Sequence, residues 1–196
     1  MLSFIAAAAL ALPQASDGLN RQIVEDLPRA VMESNIGAIW YAAFADESGT
    51  ITDCRITAVY GGSEGTEQIC GAILGKNVGP AQGPDGAPIA GYFRGNFSLA
   101  ENVARTETVN LPADVRLTVE TMPDGASSPL RLQVIALVDD EGYVSACSAT
   151  GGASTELVDT LCSETSPLTM PVRTSASGDA QSYVAPLVFE LVEERL

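Results

Sequence analysis

The chain has 196 residues, of which 46% are hydrophobic and 18% are charged. Its 25 acidic and 10 basic side chains give a formal charge of −15, which excludes nucleic-acid binding by bulk electrostatics and disfavours docking on anionic lipid. The chain contains no histidine, so the commonest general base and the commonest metal ligand are both missing. Length and composition therefore predict one or two small folded domains that are not an enzyme and carry no catalytic residue, metal or cofactor.

The N-terminus begins with MLSFIAAAALAL, an apolar run followed by Pro13, Gln14 and Ala15. This pattern is typical of a secretory signal peptide and is shorter than the roughly 20 apolar residues that cross a bilayer. A single lysine, Lys76, accompanies nine arginines, a bias typical of a GC-rich bacterial genome. We therefore predict a signal peptide over residues 1–15 and a periplasmic or secreted bacterial protein. The alternatives are a buried N-terminal helix and a misassigned start codon.

An internal repeat organises the rest of the chain. The four cysteines form two pairs of similar spacing, with Cys70 following Cys54 by 16 residues and Cys162 following Cys147 by 15. Self-similarity of this kind indicates duplication of one structural unit. Alignment on the cysteines superimposes Ala43 on Ala136, Asp46 on Asp139, Gly49 on Gly142, Glu64 on Glu156, Gly86 on Gly178, Phe97 on Phe189 and Leu99 on Leu191.

Each copy predicts the element order β-β-α-β. In the second copy, apolar and polar side chains alternate from Leu130 to Val138, the period of a strand with one buried face. Glycine turns then separate further strands and a short helix. The predicted strands are Ile39–Ala45, Thr50–Val59 and Ile89–Leu99, then Leu130–Val138, Tyr143–Thr150 and Gln181–Val192, and the predicted helices are Glu64–Leu74 and Ser154–Cys162.

The predicted fold class is α+β, with two tandem β-β-α-β domains. Each domain has a three-stranded antiparallel sheet, one helix and one disulfide. The boundaries are residues 16–34 for an N-terminal segment, 35–100 for the first repeat, 101–127 for a linker and 128–196 for the second repeat. The linker contains one candidate extra strand, Val115 to Val119.

The cysteines are predicted to pair within each copy, Cys54 with Cys70 and Cys147 with Cys162. A unit of this size buries little more than about 60% of its chain surface, so it needs a covalent staple. Closing a loop of about 15 residues contributes on the order of 3 kcal/mol. Three connectivities are open to four cysteines, and the duplication favours this one. A four-thiolate zinc site is disfavoured because no two cysteines are two to four residues apart.

The first copy resembles the C-terminal domain of TonB-type energy transducers. The resemblance rests on residues 44–62 (FADESGTITDCRITAVYGG), 75–81 (GKNVGPA) and 85–99 (DGAPIAGYFRGNFSL), with the cysteines in the second strand and the helix. In that family a strand, an acidic glycine turn, a second strand, a helix and a last strand ending in F-x-L follow one another in this order. This sequence shows neither a membrane anchor nor a long proline-rich spacer, so energy transduction does not carry over.

The resemblance implies a non-catalytic binding module that takes an extended peptide or a partner protein by strand addition. Segments of outer-membrane receptors are the implied partners, and a homo-oligomer is compatible with the sequence. A second possibility is that the copies pair with each other through these strands in a purely structural envelope protein. The predicted edge residues are Ile89, Gly91, Phe93, Gly95, Phe97 and Leu99 in the first copy and Tyr183, Leu187, Phe189 and Leu191 in the second.

Two local patterns admit a sharper interpretation. Gly61 to Gly65 matches the G-x-S-x-G nucleophile elbow around Ser63, but that chemistry requires a histidine. The acidic runs at Asp46 and Asp139 offer oxygen ligands for calcium, although their spacing differs from an EF-hand loop. Ordinary glycine turns explain both patterns better. A small hydrolase or a metal-dependent enzyme that uses Ser63 or Asp140 is the alternative function.

Overall fold

A computed structural model describes residues 10–16, 18–34, 36–62, 64–99, 113–123, 126–149, 155–165 and 168–194. Over these residues the chain is mixed α+β, with four helices, β-sheet and two disulfides. It forms two compact units. The N-terminal unit holds residues 13–81 and 90–99, and the C-terminal unit holds residues 10–12, 82–89 and 113–194.

The bounds of the elements confirm most of the predicted strands. The first seven elements are α1 (Leu19–Asp26), α2 (Arg29–Met32), β1 (Ile36–Ala45), β2 (Ile51–Gly61), α3 (Thr66–Ile73), β3 (Ala81–Gln82) and β4 (Pro88–Ser98). The remaining elements are β5 (Val115–Val119), β6 (Leu130–Val138), β7 (Val144–Ala149), α4 (Thr155–Thr165), β8 (Arg173–Thr174), β9 (Ala180–Gln181) and β10 (Tyr183–Glu193).

In the N-terminal unit, β1 lies between β2 and β4 and pairs antiparallel with both. Nine of its ten residues are buried, as expected for a central strand. One face of the sheet carries the core, and α1, α2 and α3 contribute side chains to it. The largest buried members of this core are Leu19, Ile23, Val31, Ile39, Tyr41, Ile51, Ile69 and Ile73.

The helices α1 (Leu19–Asp26) and α2 (Arg29–Met32) lie in the predicted N-terminal segment, ahead of the repeat that is predicted to contain one helix. Leu19, Ile23, Leu27 and Val31 are all buried in the core. Leu19 and Ile23 share one face of α1 and Val31 lies on α2, whereas Leu27 lies between the two helices in extended backbone. The spacing of Leu19 and Ile23 is that of an apolar helix face and is visible in the sequence.

In the C-terminal unit, β6 lies between β10 and β7 and pairs antiparallel with both. The predicted extra strand β5 pairs with β10 in parallel orientation. The expected three-stranded antiparallel sheet is therefore not confirmed here. Met122, within the predicted linker, is 7% exposed and belongs to the core with Leu161, Leu187 and Phe189.

Both predicted disulfides are confirmed. Cys54 on β2 is bonded to Cys70 on α3, and Cys147 on β7 is bonded to Cys162 on α4. In each unit the bond ties the outer strand, which has only one neighbouring strand in that unit, to the helix on the core face. The disulfide thus restrains the strand that backbone pairing holds least.

The glycine after each first strand is required by packing as well as by its turn. Gly49 has a φ of +82°, and a Cβ atom there would lie 2.0 Å from the carbonyl oxygen of Val78. The N–H of Val78 donates to the carbonyl of Gly49 over 2.8 Å, and this backbone hydrogen bond holds the two segments close together. Gly142 is placed in the same way against Met170. The N–H of Met170 donates to the carbonyl of Gly142 over 2.8 Å.

These hydrogen bonds fall at positions that the repeat alignment equates. The same is true of two hairpins, in which Gly86 donates to Gly83 and Gly178 donates to Ser175, each over 2.9 Å. The cysteine spacing of the second copy is one residue shorter, and matching local structure lies on both sides of that difference.

We expect Gly49→Ala to destabilise the protein far more than Gly18→Ala. Both residues adopt left-handed backbone conformations, but nothing lies within 4 Å of a Cβ at Gly18. Gly18→Ala therefore incurs only the backbone strain, about 1–2 kcal/mol. Gly49→Ala adds a steric clash with backbone and should cost on the order of 4 kcal/mol.

Urea unfolding of the oxidised protein measures the difference between the two variants. Equal losses of unfolding free energy would contradict the packing role assigned to Gly49.

Candidate functional site

The predicted edge residues of the first copy lie in or directly after β4. Gly91, Phe93, Gly95 and Phe97 pair with Ala45, Ala43, Tyr41 and Ile39 of β1. Ile89 is half-buried within β4. Leu99 follows the strand, is half-buried, and donates its N–H to the carbonyl of Gly37 over 2.9 Å.

Packing in the core explains two of these residues. Phe93 is 4% exposed and meets the Tyr41 ring edge to face, with 6.1 Å between ring centroids. A Cβ at Gly95 would lie 2.3 Å from Cζ of Tyr41, so the tyrosine ring needs a glycine on the neighbouring strand. The sequence shows Gly91 and Gly95 four residues apart in this strand, but it does not reveal the Tyr41 ring that requires a glycine at position 95.

The predicted edge residues of the second copy lie on β10 with their side chains in the interior. Tyr183, Leu187, Phe189 and Leu191 are each 2% exposed or less. The last three belong to the core of the C-terminal unit. A partner strand would therefore meet the backbone of β10 and not these side chains.

From Phe189 to Glu193, β10 has a strand on both sides. β6 ends opposite Leu191, and β5 runs parallel along Phe189 to Glu193 on the other side. The edge expected to receive a partner is, over these five residues, already occupied by the chain's own linker strand. This stretch, β5 with the segment of β10 beneath it, is the candidate site, and we call it the β5 groove.

Backbone bonds hold β5 at both ends. The N–H of Asp114 donates to the carbonyl of Val188, and the N–H of Val188 donates to Oδ2 of Asp114, each over 2.8 Å. At the other end the N–H of Glu194 donates to the carbonyl of Val119 over 2.9 Å. The Asp114 carboxylate thus acts as a side-chain cap on the β10 backbone just before the strands pair.

Ion pairs add a second layer across the three strands. Glu190 lies opposite Arg116 of β5 and Arg131 of β6. Its carboxylate accepts hydrogen bonds from Arg131 Nε at 2.8 Å and Nη2 at 2.6 Å, and Arg116 Nε lies 3.6 Å from its other oxygen. The Glu190 side chain is only 14% exposed, whereas that of Arg116 is 68% exposed. The firm pair is therefore the one with β6, and solvent screens the pair with β5.

Apolar contacts complete the β5 groove. Val115, Leu117 and Val119 are partly buried against the core of the C-terminal unit, while Arg116 and Thr118 are exposed. This alternation is that of a strand with one face on a core. The sequence pattern predicts the strand, but nothing local identifies its neighbour.

The acidic turns have structural roles. Oδ1 of Asp46 accepts the N–H groups of Ser48 and Thr50, each at 2.9 Å, and Oδ1 of Asp139 accepts those of Glu141 and Tyr143 at 3.1 and 2.8 Å. Such carboxylates close hairpin turns. Among the described residues, no group of three or more acidic or cysteine side chains has the geometry of a metal site.

The remaining chemical candidates do not assemble a site. Ser63 of the G-x-S-x-G pattern lies outside the described residues. Asp140 is exposed in its turn. Both cysteine pairs are oxidised, so their sulfurs do not offer thiolates to zinc.

The fold and the β5 groove define a disulfide-stapled α+β protein in which a linker strand is added to the last strand. No protein-family model, curated protein or solved structure matches this chain. Function therefore has to be inferred from the contacts of the site itself.

We expect Glu190→Gln to weaken the contact of β10 with β6 more than its contact with β5. The change removes the charge that accepts two hydrogen bonds from Arg131 of β6, and a charge-assisted hydrogen bond is worth about 1.5–3 kcal/mol. Hydrogen exchange should therefore accelerate at least fivefold at the amides of Leu130 to Leu132, and less at those of Val115 to Val119. Glu193→Gln, an exposed change on the same strand, is the matched control. Unchanged exchange in β6 would contradict the role given to Glu190.

We also predict that stability falls as the pH rises from about 10 to 12. Burial raises the pKa of Tyr183 to about 12, although the charge of Arg173 partly opposes it, and burial raises the pKa of Tyr41 to about 12. A raised folded-state pKa means that both phenols favour folding fully below pH 10 and less as pH approaches 12. The Tyr183 hydroxyl also donates to the carbonyl of Pro171 over 2.9 Å.

Tyr183→Phe loses that hydrogen bond and should lower the unfolding free energy at pH 8 by about 1 kcal/mol. The difference in unfolding free energy between wild type and Tyr183→Phe should narrow between pH 10 and 12. The reason is that the variant has one fewer phenol to ionise. A constant gap across that interval would contradict the burial of the hydroxyl.

Proposed function

We propose that this chain is an extracytoplasmic, non-catalytic protein-binding module that takes an extended peptide by strand addition at β10. The carrying observation is β5, an extended segment from outside the β-β-α-β repeat that already docks on this strand. Its parallel pairing supports the proposal, because β5 uses backbone partners from Phe189 to Glu193 and packs on the apolar rim of the core.

The cysteines support the extracytoplasmic part of the proposal. All four are in disulfides, and such bonds persist in the periplasm and outside the cell. The longest helix that the structure describes has 11 residues, and none of the described helices has the length and apolar character for a bilayer crossing.

Chemistry and resemblance support the binding part. The chain contains no histidine, and its acidic turn residues are engaged in backbone hydrogen bonds. The similarity to the TonB-type C-terminal domain points to the last strand as the docking strand, and β10 is that strand in the second copy. Receptor-derived segments and other envelope proteins are the partners that this resemblance suggests.

We test the proposal by selecting random eight-residue peptides against the oxidised full chain and synthesising the best binder. N-methylation of alternate residues whose N–H groups face β10 should weaken binding at least tenfold. The reason is that each ladder hydrogen bond contributes about 0.5–1.5 kcal/mol and several are lost together. N-methylation of the intervening residues is the control, since their N–H groups point away from β10.

Mass spectrometry of the recovered peptide distinguishes binding from turnover. We expect the intact peptide. Cleavage would support the hydrolase alternative, and binding that ignores the methylation pattern would contradict strand addition.

A further inference from the structure

We propose that β5 is an autoinhibitory strand, and that the partner peptide displaces it by carrying the same side-chain pattern. The pattern is that of residues 114–119: acidic, apolar, basic, apolar, any, apolar. This inference rests on the proposed function, and it adds the chemistry of the partner and the regulation of the site.

Each position of the pattern corresponds to a contact in the β5 groove. The acidic position is read by the N–H of Val188, which donates to the Asp114 carboxylate. The basic position faces Glu190, at 3.6 Å from Arg116. The apolar positions of Val115, Leu117 and Val119 pack against the core. The position of Thr118 faces solvent and therefore places no requirement on the peptide side chain.

The basic position also fits the charge of the chain. A formal charge of −15 repels acidic peptides in general and attracts basic ones. An acidic side chain suits the groove only at the position of Asp114, where the N–H of Val188 donates a hydrogen bond to the carboxylate. The groove thus favours a peptide that begins with one acidic residue and continues with a basic one.

β5 is held weakly enough to be displaced. It has five residues, its pairing is parallel, and none of its residues is fully buried. Its ion pair with Glu190 is solvent-screened, since Arg116 is largely exposed. By comparison, β6 pairs with β10 over nine residues and places Val134 and Ala136 in the core.

Its covalent connection is what keeps β5 in the groove. A tethered strand is present at an effective concentration of roughly millimolar order, which a free peptide has to exceed through its affinity. A peptide that matches the pattern and adds contacts beyond the five residues of β5 would prevail. A substitution that weakens the docking of the tethered strand β5 should therefore strengthen the binding of a free peptide with the β5 sequence.

The test uses a fluorescein-labelled synthetic peptide with the sequence of residues 113–120 (ADVRLTVE), titrated into the oxidised full chain. Leu117→Asp removes an apolar contact of the tethered strand and should tighten peptide binding at least tenfold. Thr118→Asp introduces the same charge at the exposed neighbouring position and should leave binding unchanged. A peptide with glutamate in place of arginine should bind at least fivefold more weakly to every protein.

Asp114→Ala provides a second variant in case Leu117→Asp fails to fold, which near-ultraviolet circular dichroism would show. Asp114 is exposed, and its loss removes the carboxylate that caps the tethered strand. We expect binding to tighten at least threefold. Hydrogen exchange with bound peptide should protect the amides of Phe189 to Glu193.

The inference is overturned if the folded β5 variants bind the peptide no better than Thr118→Asp, or if the charge-reversed peptide binds equally well. Protection at the outer strands β2 or β7 would also overturn it. In the first two cases the proposed function survives if the selected peptides still bind in a methylation-sensitive manner, whereas protection at β2 or β7 would also contradict strand addition at β10. If no peptide binds to the wild type or to any variant, both the autoinhibitory role of β5 and the proposed function are contradicted.

Discussion

The backbone of β10 has to be hydrogen-bonded on the side away from β6. Over Phe189 to Glu193 this strand is packed at the edge of a core, where unpaired N–H and C=O groups cost free energy. The chain satisfies them with β5, a segment that belongs to neither repeated β-β-α-β order. Such a groove accepts an extended chain by its nature, because the groups that it presents are those of any peptide.

A rigid frame makes this groove usable. The core of the C-terminal unit places Leu187, Phe189 and Leu191 in the interior and fixes the direction of β10. On the other side of β6, the disulfide between Cys147 and Cys162 restrains β7 against α4. The proposed strand addition would thus require little reorganisation of β10, with selectivity coming from contacts at Val188 and Glu190.

Local patterns predicted the elements whose signals lie within a few residues. The bounds of β6 and β5 followed from alternation of apolar and polar side chains, and both disulfides followed from the repeated cysteine spacing. The apolar spacing of Leu19 and Ile23 is equally local, so α1 also has a signal in the sequence.

Other features depend on residues that are distant in sequence. Gly95 is required by the ring of Tyr41, and Gly49 by the carbonyl of Val78, neither of which a single-sequence pattern reveals. The parallel partner of β5 lies about 75 residues away, and strand pairing at that distance is set by tertiary packing. The groove itself was therefore not predictable, although the last strand had been singled out by resemblance.

The most direct test of this account is nuclear Overhauser spectroscopy of the isotope-labelled, oxidised protein in solution. The account predicts cross-strand contacts in parallel register between β5 and β10, with Leu117 opposite Leu191. Random-coil shifts for Val115 to Val119, without contacts to β10, would contradict the central claim that a linker strand occupies this edge.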